Sequence, residues 1–242
     1  MAMQRNPALR AAAPTLDHVD TWVFDLDNTL YPADCNLFHQ VDQRIGGFVA
    51  EMLKLTAEQA RVVQKDYLRR YGTPLRGLMV EHGLDPATYL DFVHDIDVTP
   101  VPPDPALDRA LARLPGRKIV FTNGSQMHAG RILDRLGVTR HFAAVFDIHA
   151  ASYLPKPDPK VYDELVRRHA IAPRRALLVE DIARNLAPAA ALGMTTAWVR
   201  VDAPWAQPEE GAEIHHVIDA LTPWLEAVVE ARADAAAPVT GG

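Results

Sequence analysis

The sequence predicts a doubly wound α/β domain that has a parallel sheet and an inserted helical cap. Three observations support this prediction. Short apolar runs end in polar residues, helical patterns alternate with those runs, and a long segment with little strand character follows the first run. Because ligands of such sheets bind at the carboxyl ends of the strands, the polar residues that follow the runs are the expected functional site.

The predicted strands are short apolar runs that carry β-branched or aromatic residues. Four are clear and a fifth is weaker, and each is too short for a helix. Continuous apolar runs of this kind are typical of a parallel sheet that is covered on both faces. The runs cover residues 22–24, 118–121, 176–179 and 195–199, with the weaker one at 143–146.

The predicted helices of the core lie between or after these runs. Glycine follows two of them directly, and glycine is a common helix stop. The last begins with Thr222-Pro223, where the threonine suits the N-cap and the proline suits the first helical position. Strand–helix alternation of this kind predicts a Rossmann-like sheet with right-handed crossovers. The predicted ranges are 125–136, 159–170, 183–192 and 222–232.

One spacing predicts the inserted cap. Thr122 follows Asp27 by 95 residues, whereas a plain crossover needs about a dozen residues plus its loops. The proline-rich stretch 100–105 resembles a stiff connector that returns the chain to the core. The cap helices are predicted at 37–53, 57–71 and 86–94. We expect a cap at 34–100, a core at 19–33 and 101–232, and disordered tails at 1–18 and 233–242.

The composition is that of an ordinary globular protein. The 242 residues are 48% hydrophobic and 23% charged, with a formal net charge of −6. No strongly basic face is expected, so nucleic acid and anionic membranes are disfavoured as partners. A single cysteine, Cys35, precludes an intramolecular disulfide and fits a reducing compartment. We therefore expect a cytoplasmic monomer or homodimer that acts on a small molecule.

The pentapeptide Asp25-Leu26-Asp27-Asn28-Thr29 follows the first predicted strand. A phosphate monoester is a dianion that repels a bare carboxylate, and a divalent cation that bridges the two removes this repulsion. Asp25 is then placed to attack phosphorus, and Asp27 to protonate the leaving oxygen and later deprotonate water. Thr29 is expected to steady the turn. The alternative is an Asx-rich turn that only ends the strand.

Two further clusters follow predicted strands and offer positive charge or N–H groups. Thr122-Asn123-Gly124 precedes a predicted helix, where a hydroxyl and free N–H groups favour an anion, although a simple N-cap has the same pattern. Lys156 lies between Pro155 and Pro157, which are expected to hold the backbone extended and to limit where the lysine points. A fixed ammonium there would neutralise Asp25 and a phosphoryl group.

A third cluster, Glu180-Asp181, follows the strand predicted at 176–179, and Asn185 comes four residues after Asp181. Adjacent acids at one edge of a sheet repel each other unless a cation neutralises them. A magnesium ion is the simplest such cation. The alternative is an exposed acidic loop before the next helix.

Together these clusters resemble the haloacid dehalogenase-like hydrolase superfamily, over roughly residues 20–200. That superfamily has an Asp-x-Asp-x-Thr/Val motif, a Thr or Ser, a Lys, and an acidic pair. The resemblance implies a nucleophilic Asp25, a general acid/base Asp27, and Mg²⁺ held by Asp25, the carbonyl of Asp27, and Asp181. Many members have an acid where Asn185 stands, so Asn185 is expected to orient Asp181 or a metal-bound water. The expected phosphate-binding residues are Leu26, Thr122, Asn123, Gly124 and Lys156, with Thr29, Glu180 and Asn185 in support.

Three segments are similar to the pyrimidine 5′-nucleotidase branch of that superfamily: 24–32, the stretch 71–78 with its Tyr-Gly-x-x-x-Arg-Gly-Leu pattern, and 121–125. This resemblance implies nucleoside monophosphates, chiefly of pyrimidines, as substrates. Arg76 is the candidate substrate-binding cation, because its guanidinium fork suits a phosphate, ribose or base carbonyl. The alternative is a surface arginine of the cap.

Three other functions remain open. A phosphatase for another small metabolite, such as phosphoglycolate or a sugar phosphate, would use the same four clusters. A haloacid dehalogenase is disfavoured by Asp27, because a halide leaves without a proton. A non-catalytic binding module is disfavoured because both Asp25 and Asp27 are present.

Overall fold

A computed structural model describes residue 14 and residues 16–236 of the chain. Its six strands pair in parallel and form one sheet. The strands are β1 (Thr21–Phe24), β2 (Arg117–Phe121), β3 (Ala144–Phe146), β4 (Ala176–Glu180), β5 (Thr195–Val199) and β6 (His216–Ile218). Their order in the sheet is β3-β2-β1-β4-β5-β6. The predicted α/β class is therefore confirmed.

The five strands predicted from apolar runs all form, whereas β6 is not predicted by the sequence. It is an edge strand of three residues, and Val217 at its centre is 56% exposed. A run this short has no detectable periodicity, and a half-exposed edge strand does not need a continuous apolar sequence.

Both faces of the sheet are covered, as a doubly wound fold requires. Alternate side chains of a strand point to opposite faces. Trp22 and Phe24 of β1 accordingly belong to one buried cluster, and Val23 belongs to another. The core helices are α5 (Pro105–Arg113), α6 (Gln126–Leu136), α7 (Pro159–Arg168), α8 (Ala187–Ala191) and α9 (Leu221–Ala236). Helices α5, α6 and α9 pack on the first face, and α7 and α8 on the second.

Five α-helices lie between β1 and β2, and the first four, which we call the cap, share one hydrophobic cluster. These four are α1 (Leu37–Leu53), α2 (Ala57–Tyr71), α3 (Pro74–His82) and α4 (Pro86–Val93). Helices α1 and α2 have the bounds predicted from the sequence. Helix α3 was not predicted, because Gly77 lies in its interior and glycine is a poor helix former.

The starts of two helices differ from the sequence predictions. Helix α6 begins at Gln126, and Ser125 is its N-cap. The group Thr122-Asn123-Gly124 therefore lies in the loop before this N-cap residue. Helix α9 begins at Leu221, so Thr222 is within the first turn and not the N-cap. The hydroxyl of Thr222 donates instead to Asp104 Oδ2 at 2.8 Å.

The helix predicted at 183–192 is divided. A 3₁₀ turn covers Ala183–Leu186, and α8 follows from Ala187. The predicted N-terminal tail is too long, because Leu16 is only 6% exposed and packs into the core. The rest of both predicted tails lies largely outside the described residues. Within the described residues, no helix is both long enough and apolar enough to cross a bilayer.

The register of the sheet positions the functional site. β1 lies at the centre, and its last residue, Phe24, is opposite Val120 of β2 and Val179 of β4. The residues that follow these strands therefore meet at one edge. They are the pentapeptide that begins at Asp25, the Thr122 loop and the acidic pair at the end of β4.

Candidate active site

Lys156 forms the buried ionic centre of this edge. Its Nζ donates to Asp25 Oδ1 at 2.6 Å, to Glu180 Oε2 at 2.7 Å and to the carbonyl oxygen of Phe121 at 3.0 Å. Its side chain is only 2% exposed. Burial opposes the charged ammonium, but the two carboxylates outweigh burial and raise the pKa of Lys156. The lysine is therefore a fixed cation.

The loop that carries Lys156 is a turn, which corrects the predicted extended backbone. The N–H of Asp158 donates to the carbonyl oxygen of Pro155 at 3.0 Å, and the Lys156–Pro157 peptide bond is cis. The N–H of Lys156 donates to Asn123 Oδ1 at 2.8 Å. The Asn123 side-chain oxygen thus holds the lysine loop, and its backbone N–H faces no such demand.

Asp25, Glu180 and Asp181 form a buried acidic cluster. Each offers one carboxylate oxygen, and these oxygens lie within 4.8 Å of one another. Burial and then the charge of Glu180 raise the pKa of Asp25 to about 7 and that of Asp181 to about 10. One ammonium does not balance three carboxylates, so the cluster lacks positive charge. Oxygen ligands of this kind suit Mg²⁺, and the residues present fit that ion.

Glu180 is the most fully hydrogen-bonded acid of the cluster. Its Oε1 accepts from Asn185 Nδ2 at 3.1 Å and from the N–H of Ile182 at 3.2 Å, while Oε2 accepts from Lys156. Asn185 therefore orients Glu180, whereas the sequence analysis expected it to orient Asp181 or a metal-bound water. We conclude that Glu180 mainly positions Lys156.

Asn28 is the residue whose carboxamide reaches Asp181. Its Nδ2 lies 3.5 Å from Asp181 Oδ2, and its φ of 59° places it in the left-handed region. Asparagine adopts that region more readily than most residues. Asn28 was not predicted as a site residue, although the tolerance of asparagine for this conformation was an available signal.

Asp27 is held by two side chains that the sequence analysis did not identify. Tyr31 Oη donates to Asp27 Oδ1 at 2.6 Å, and His128 Nε2 lies 2.9 Å from the same oxygen. Burial alone would raise the pKa of Asp27, but His128 and Tyr31 hold it below its ordinary value. Tyr31 lies four residues after Asp27 and His128 lies in α6, so only the fold brings all three together.

The two threonines of the predicted site have different surroundings. Thr122 Oγ1 accepts from the N–H of Gly124 at 2.9 Å, which shapes the loop at the end of β2. Thr29 Oγ1 is buried and has no hydrogen-bond partner among the described residues. The Thr29 hydroxyl therefore does not steady the turn as expected, although the Thr29 N–H does bond to the carbonyl oxygen of Leu26.

An open cleft joins these residues to the cap. Its polar floor includes Asp25, Asp27, Thr122, Lys156 and Asp181. Its cap wall is largely apolar and includes the side chains of Phe38, Val41, Tyr89, Leu90 and Val93.

Two cleft residues come from loops of the core. Trp205 follows β5, and Arg184 follows the acidic pair, and both are exposed. Arg76 is not among the lining residues, although Thr73 and Leu75 are.

Comparison with known proteins identifies relatives of this arrangement. A family model described as haloacid dehalogenase-like hydrolase matches residues 19–193. The chain is 25% identical over 188 residues to "Phosphate metabolism protein 8" of Saccharomyces cerevisiae. The matched region covers 71% of this chain and 58% of that protein. The chain is 26% identical over 219 residues to a "Phosphoglycolate phosphatase" of Mesorhizobium japonicum, which covers 83% of this chain and 92% of that protein.

Solved structures share the fold at lower sequence identity. An L-2-haloacid dehalogenase of Xanthobacter autotrophicus has a TM-score of 0.57 and 18% identity, over 87% of this chain and 98% of that one. A putative HAD-hydrolase of Bacillus subtilis, solved with bound magnesium, has a TM-score of 0.56 and 15% identity over the same shares.

Proposed function

The chain belongs to the haloacid dehalogenase-like hydrolases, and from this premise we propose that it is a Mg²⁺-dependent phosphatase whose nucleophile is Asp25. One observation carries the proposal. Asp27 lines the same cleft as Asp25, and two donors hold its carboxylate. An ester oxygen needs a proton as it leaves, whereas a halide does not. A second carboxylate beside the nucleophile therefore favours phosphoester hydrolysis over dehalogenation.

Asp25, Asp181 and the backbone carbonyl of Asp27 are the proposed Mg²⁺ ligands. The excess negative charge at Asp25 and Asp181 supports this assignment, because burial and mutual repulsion raise both pKa values. When bound, Mg²⁺ would supply the charge that allows a carboxylate and a phosphate dianion to approach each other.

In the first step, a carboxylate oxygen of Asp25 attacks phosphorus. A bond forms between that oxygen and phosphorus while the bond from phosphorus to the ester oxygen breaks. Asp27 must be protonated for this step, and the charge of the bound phosphate ester opposes the lowering of its pKa by His128 and Tyr31. It then gives its proton to the leaving oxygen, so the alcohol leaves neutral. Lys156 carries positive charge beside Asp25 throughout and stabilises the charge on the phosphoryl group.

In the second step, water attacks the phosphorus of the aspartyl-phosphate. Asp27, now ionised, takes a proton from that water, and the bond between phosphorus and Asp25 breaks to release inorganic phosphate. The proposed contacts to the phosphoryl oxygens are the Thr122 hydroxyl, the Lys156 ammonium and the backbone N–H groups of Leu26 and Asn123. The contact expected from Gly124 is not retained, because its N–H already donates to Thr122 Oγ1.

Nucleoside monophosphates are the proposed substrates. The apolar and aromatic wall formed by Phe38, Tyr89 and Trp205 supports this proposal, because a nucleobase has flat faces of low polarity. Arg76 is also proposed to contact the nucleotide. Since it does not line the cleft in this conformation, that contact requires the Arg76 side chain or the cap to move.

A second candidate function is hydrolysis of a small acidic metabolite such as phosphoglycolate. Arg184 favours it, because this exposed arginine lines the cleft and has no ion-pair partner among residues 14 and 16–236. A leaving group that carries a carboxylate needs a cation of this kind. The Mesorhizobium relative bears that name.

A panel of phosphate monoesters tests both functions. Wild-type protein with Mg²⁺ is given UMP, CMP, phosphoglycolate and glucose 6-phosphate, and phosphate release is measured. The proposal expects the highest kcat/KM for UMP or CMP. A highest value for phosphoglycolate selects the second candidate. Halide release from 2-chloropropionate without any phosphatase activity would overturn both.

A further inference from the structure

Both hydrogen bonds to the Asp27 carboxylate reach the same oxygen. Tyr31 Oη and His128 Nε2 lie 2.6 and 2.9 Å from Oδ1. Among the described residues, no group donates to Oδ2. Two donors on one oxygen fix the plane of a carboxylate and leave the second oxygen available.

We propose that His128 and Tyr31 are positioning residues that reserve Oδ2 of Asp27 for proton transfer to the leaving group and from water. The inference rests on the proposed phosphatase function and deepens it. Neither residue needs to touch the substrate, because Asp27 is the group that lines the cleft.

The His128 ring is fixed on several sides. It is 0% exposed, and its backbone N–H donates to Ser125 Oγ at 3.3 Å. Its ring stacks on that of His94 at 4.5 Å between centroids and 10° between planes. A Cβ built on Gly124 would lie 3.3 Å from His128 Cδ2, so the Thr122 loop packs against the same ring. A ring held in this way can hold a carboxylate in one orientation.

His94 connects this support to the cap. It follows α4 directly, lines the cleft, and its Nδ1 lies 2.9 Å from Ser125 Oγ. Arg131 of α6 donates to the carbonyl oxygens of His94 at 2.8 Å and Ile96 at 2.6 Å. Helix α6 thus carries both the donor to Asp27 and the arginine that binds the end of the cap. The orientation of Asp27 is set where the cap and the core meet.

The His128 side chain makes this inference easy to test. Its Nδ1 is buried and has no partner among the described residues, so Asp27 is the side chain's one hydrogen-bond partner there. Replacement by leucine removes that donor and leaves the Ser125 contact of the backbone. A purely structural role predicts that the rate falls by the same factor for every leaving group. A positioning role predicts that the fall in rate depends on whether the leaving group needs a proton.

The experiment compares His128→Leu and Tyr31→Phe with wild type, using Mg²⁺ and two substrates in rapid-mixing assays. One substrate is 2,4-dinitrophenyl phosphate, whose leaving group needs no proton. The other is the alkyl phosphate of the panel that wild type hydrolyses fastest. His128→Gln keeps an N–H donor and is the conservative variant. His169→Leu replaces a half-buried histidine on the opposite side of the core and is the matched control.

For His128→Leu we expect phosphoenzyme formation from the alkyl phosphate to slow by about 100-fold, the usual contribution of a general acid. The rate of phosphoenzyme formation from 2,4-dinitrophenyl phosphate stays within about threefold of the wild-type rate, and KM for that ester does not change. Hydrolysis of the phosphoenzyme also slows, because it needs Asp27 as a base. The dinitrophenyl ester therefore gives a burst close to one equivalent per chain. Tyr31→Phe slows both steps by a smaller factor. His128→Gln partly restores both rates.

Equal slowing of phosphoenzyme formation from both substrates, or unchanged rates in His128→Leu, would overturn the inference. Absence of phosphate release or phosphoenzyme in wild type would instead overturn the proposed function. The two failures are therefore distinguishable.

Discussion

Gly72 of the cap lies directly against Pro155, the residue before the catalytic lysine candidate. A Cβ built on Gly72 would lie 2.9 Å from Pro155 Cγ, and the φ of Gly72 is +80°. The end of α2 is therefore in contact with the loop that holds Lys156. This relationship explains why a glycine is needed in the cap segment at 71–78.

Substitution of Gly72 by alanine should reduce both stability and activity. Left-handed backbone costs an alanine about 1–2 kcal/mol, and the added methyl group also displaces Pro155. Gly83→Ala is the matched control, because its φ is +65° and nothing lies within 4 Å of the added Cβ. We expect a larger fall in Tm for Gly72→Ala than for Gly83→Ala, and a fall in kcat/KM for Gly72→Ala alone. Equal changes in Tm and kcat/KM in the two variants would show that Pro155 moves aside without cost.

Gly77 is required by a different contact, inside the cap. A Cβ at Gly77 would lie 2.4 Å from Tyr67 Cγ, whereas nothing lies within 4 Å of a Cβ at Gly47. Both glycines are in helix interiors, where alanine is intrinsically better by about 1 kcal/mol. Gly47→Ala should therefore raise Tm and Gly77→Ala should lower it, as measured by thermal denaturation. A rise in both would mean that Tyr67 can repack without cost.

Asp25→Asn should abolish turnover without harm to the fold. The variant loses the nucleophile, so we expect kcat to fall by on the order of 10⁴-fold or more and no phosphoenzyme to form. It also removes one acid from a crowded cluster, so Tm should stay equal or rise. Asp163→Asn changes an exposed acid of α7 and serves as the control. Phosphate release at the wild-type rate would rule out the covalent mechanism.

Metal-free protein should lose stability as the pH rises. Asp25 and Asp181 have folded-state pKa values of about 7 and about 10, against 3.8 in their ordinary state. The folded protein therefore holds protons that the unfolded chain releases. The contribution of these two groups to stability is complete below about pH 4 and is lost as the pH rises through the folded-state pKa values.

Thermal denaturation between pH 5 and pH 9 tests this dependence, first in EDTA and then with Mg²⁺. We expect Tm to fall with rising pH in EDTA, and Mg²⁺ to raise Tm most at high pH, because it binds the ionised cluster. Asp181→Asn should flatten the EDTA curve and weaken the Mg²⁺ effect. A Mg²⁺ effect that is equal in Asp181→Asn would remove Asp181 from the ligand set.

Three cleft variants should separate the two candidate substrates. Trp205→Ala and Arg76→Ala should raise KM for UMP more than for phosphoglycolate, because the first removes aromatic surface and the second a proposed nucleotide contact. Arg184→Ala should do the reverse, because it removes the exposed cation. Steady-state kinetics on both substrates measure these ratios. Identical changes on both substrates in all three variants would show that none of these three residues selects the leaving group.

Most of the floor of the site could be located from the sequence, because three of the five floor residues directly follow a strand. Asp25, Thr122 and Asp181 therefore needed only the rule that ligands bind at the carboxyl ends of parallel strands. The same reasoning placed Lys156 correctly but gave its loop the wrong backbone. Local proline preferences favour extension, whereas a hydrogen bond from Asp158 to Pro155 and the Asn123 contact close a turn.

The support of Asp27 was not predictable from local patterns. His128 lies on a buried helix face, where a histidine normally signals packing, and it reaches Asp27 only after β1 and α6 have been brought together. Asn185 was expected, from the family resemblance, to orient Asp181 or a metal-bound water, but its carboxamide donates to Glu180. A sequence spacing limits which acid a side chain can reach, and tertiary packing decides between two adjacent ones.

The central position of β1 has a consequence for biosynthesis. This strand leaves the ribosome before either of its partners, because β2 follows only after the entire cap and β4 only after a further part of the core. The cap helices, whose contacts are local, can form early, whereas the apolar strand must wait without hydrogen-bond partners. A chain that stalls between the cap and β4 would expose Trp22, Val23 and Phe24. Such a nascent chain is a natural client for chaperones that bind extended apolar segments.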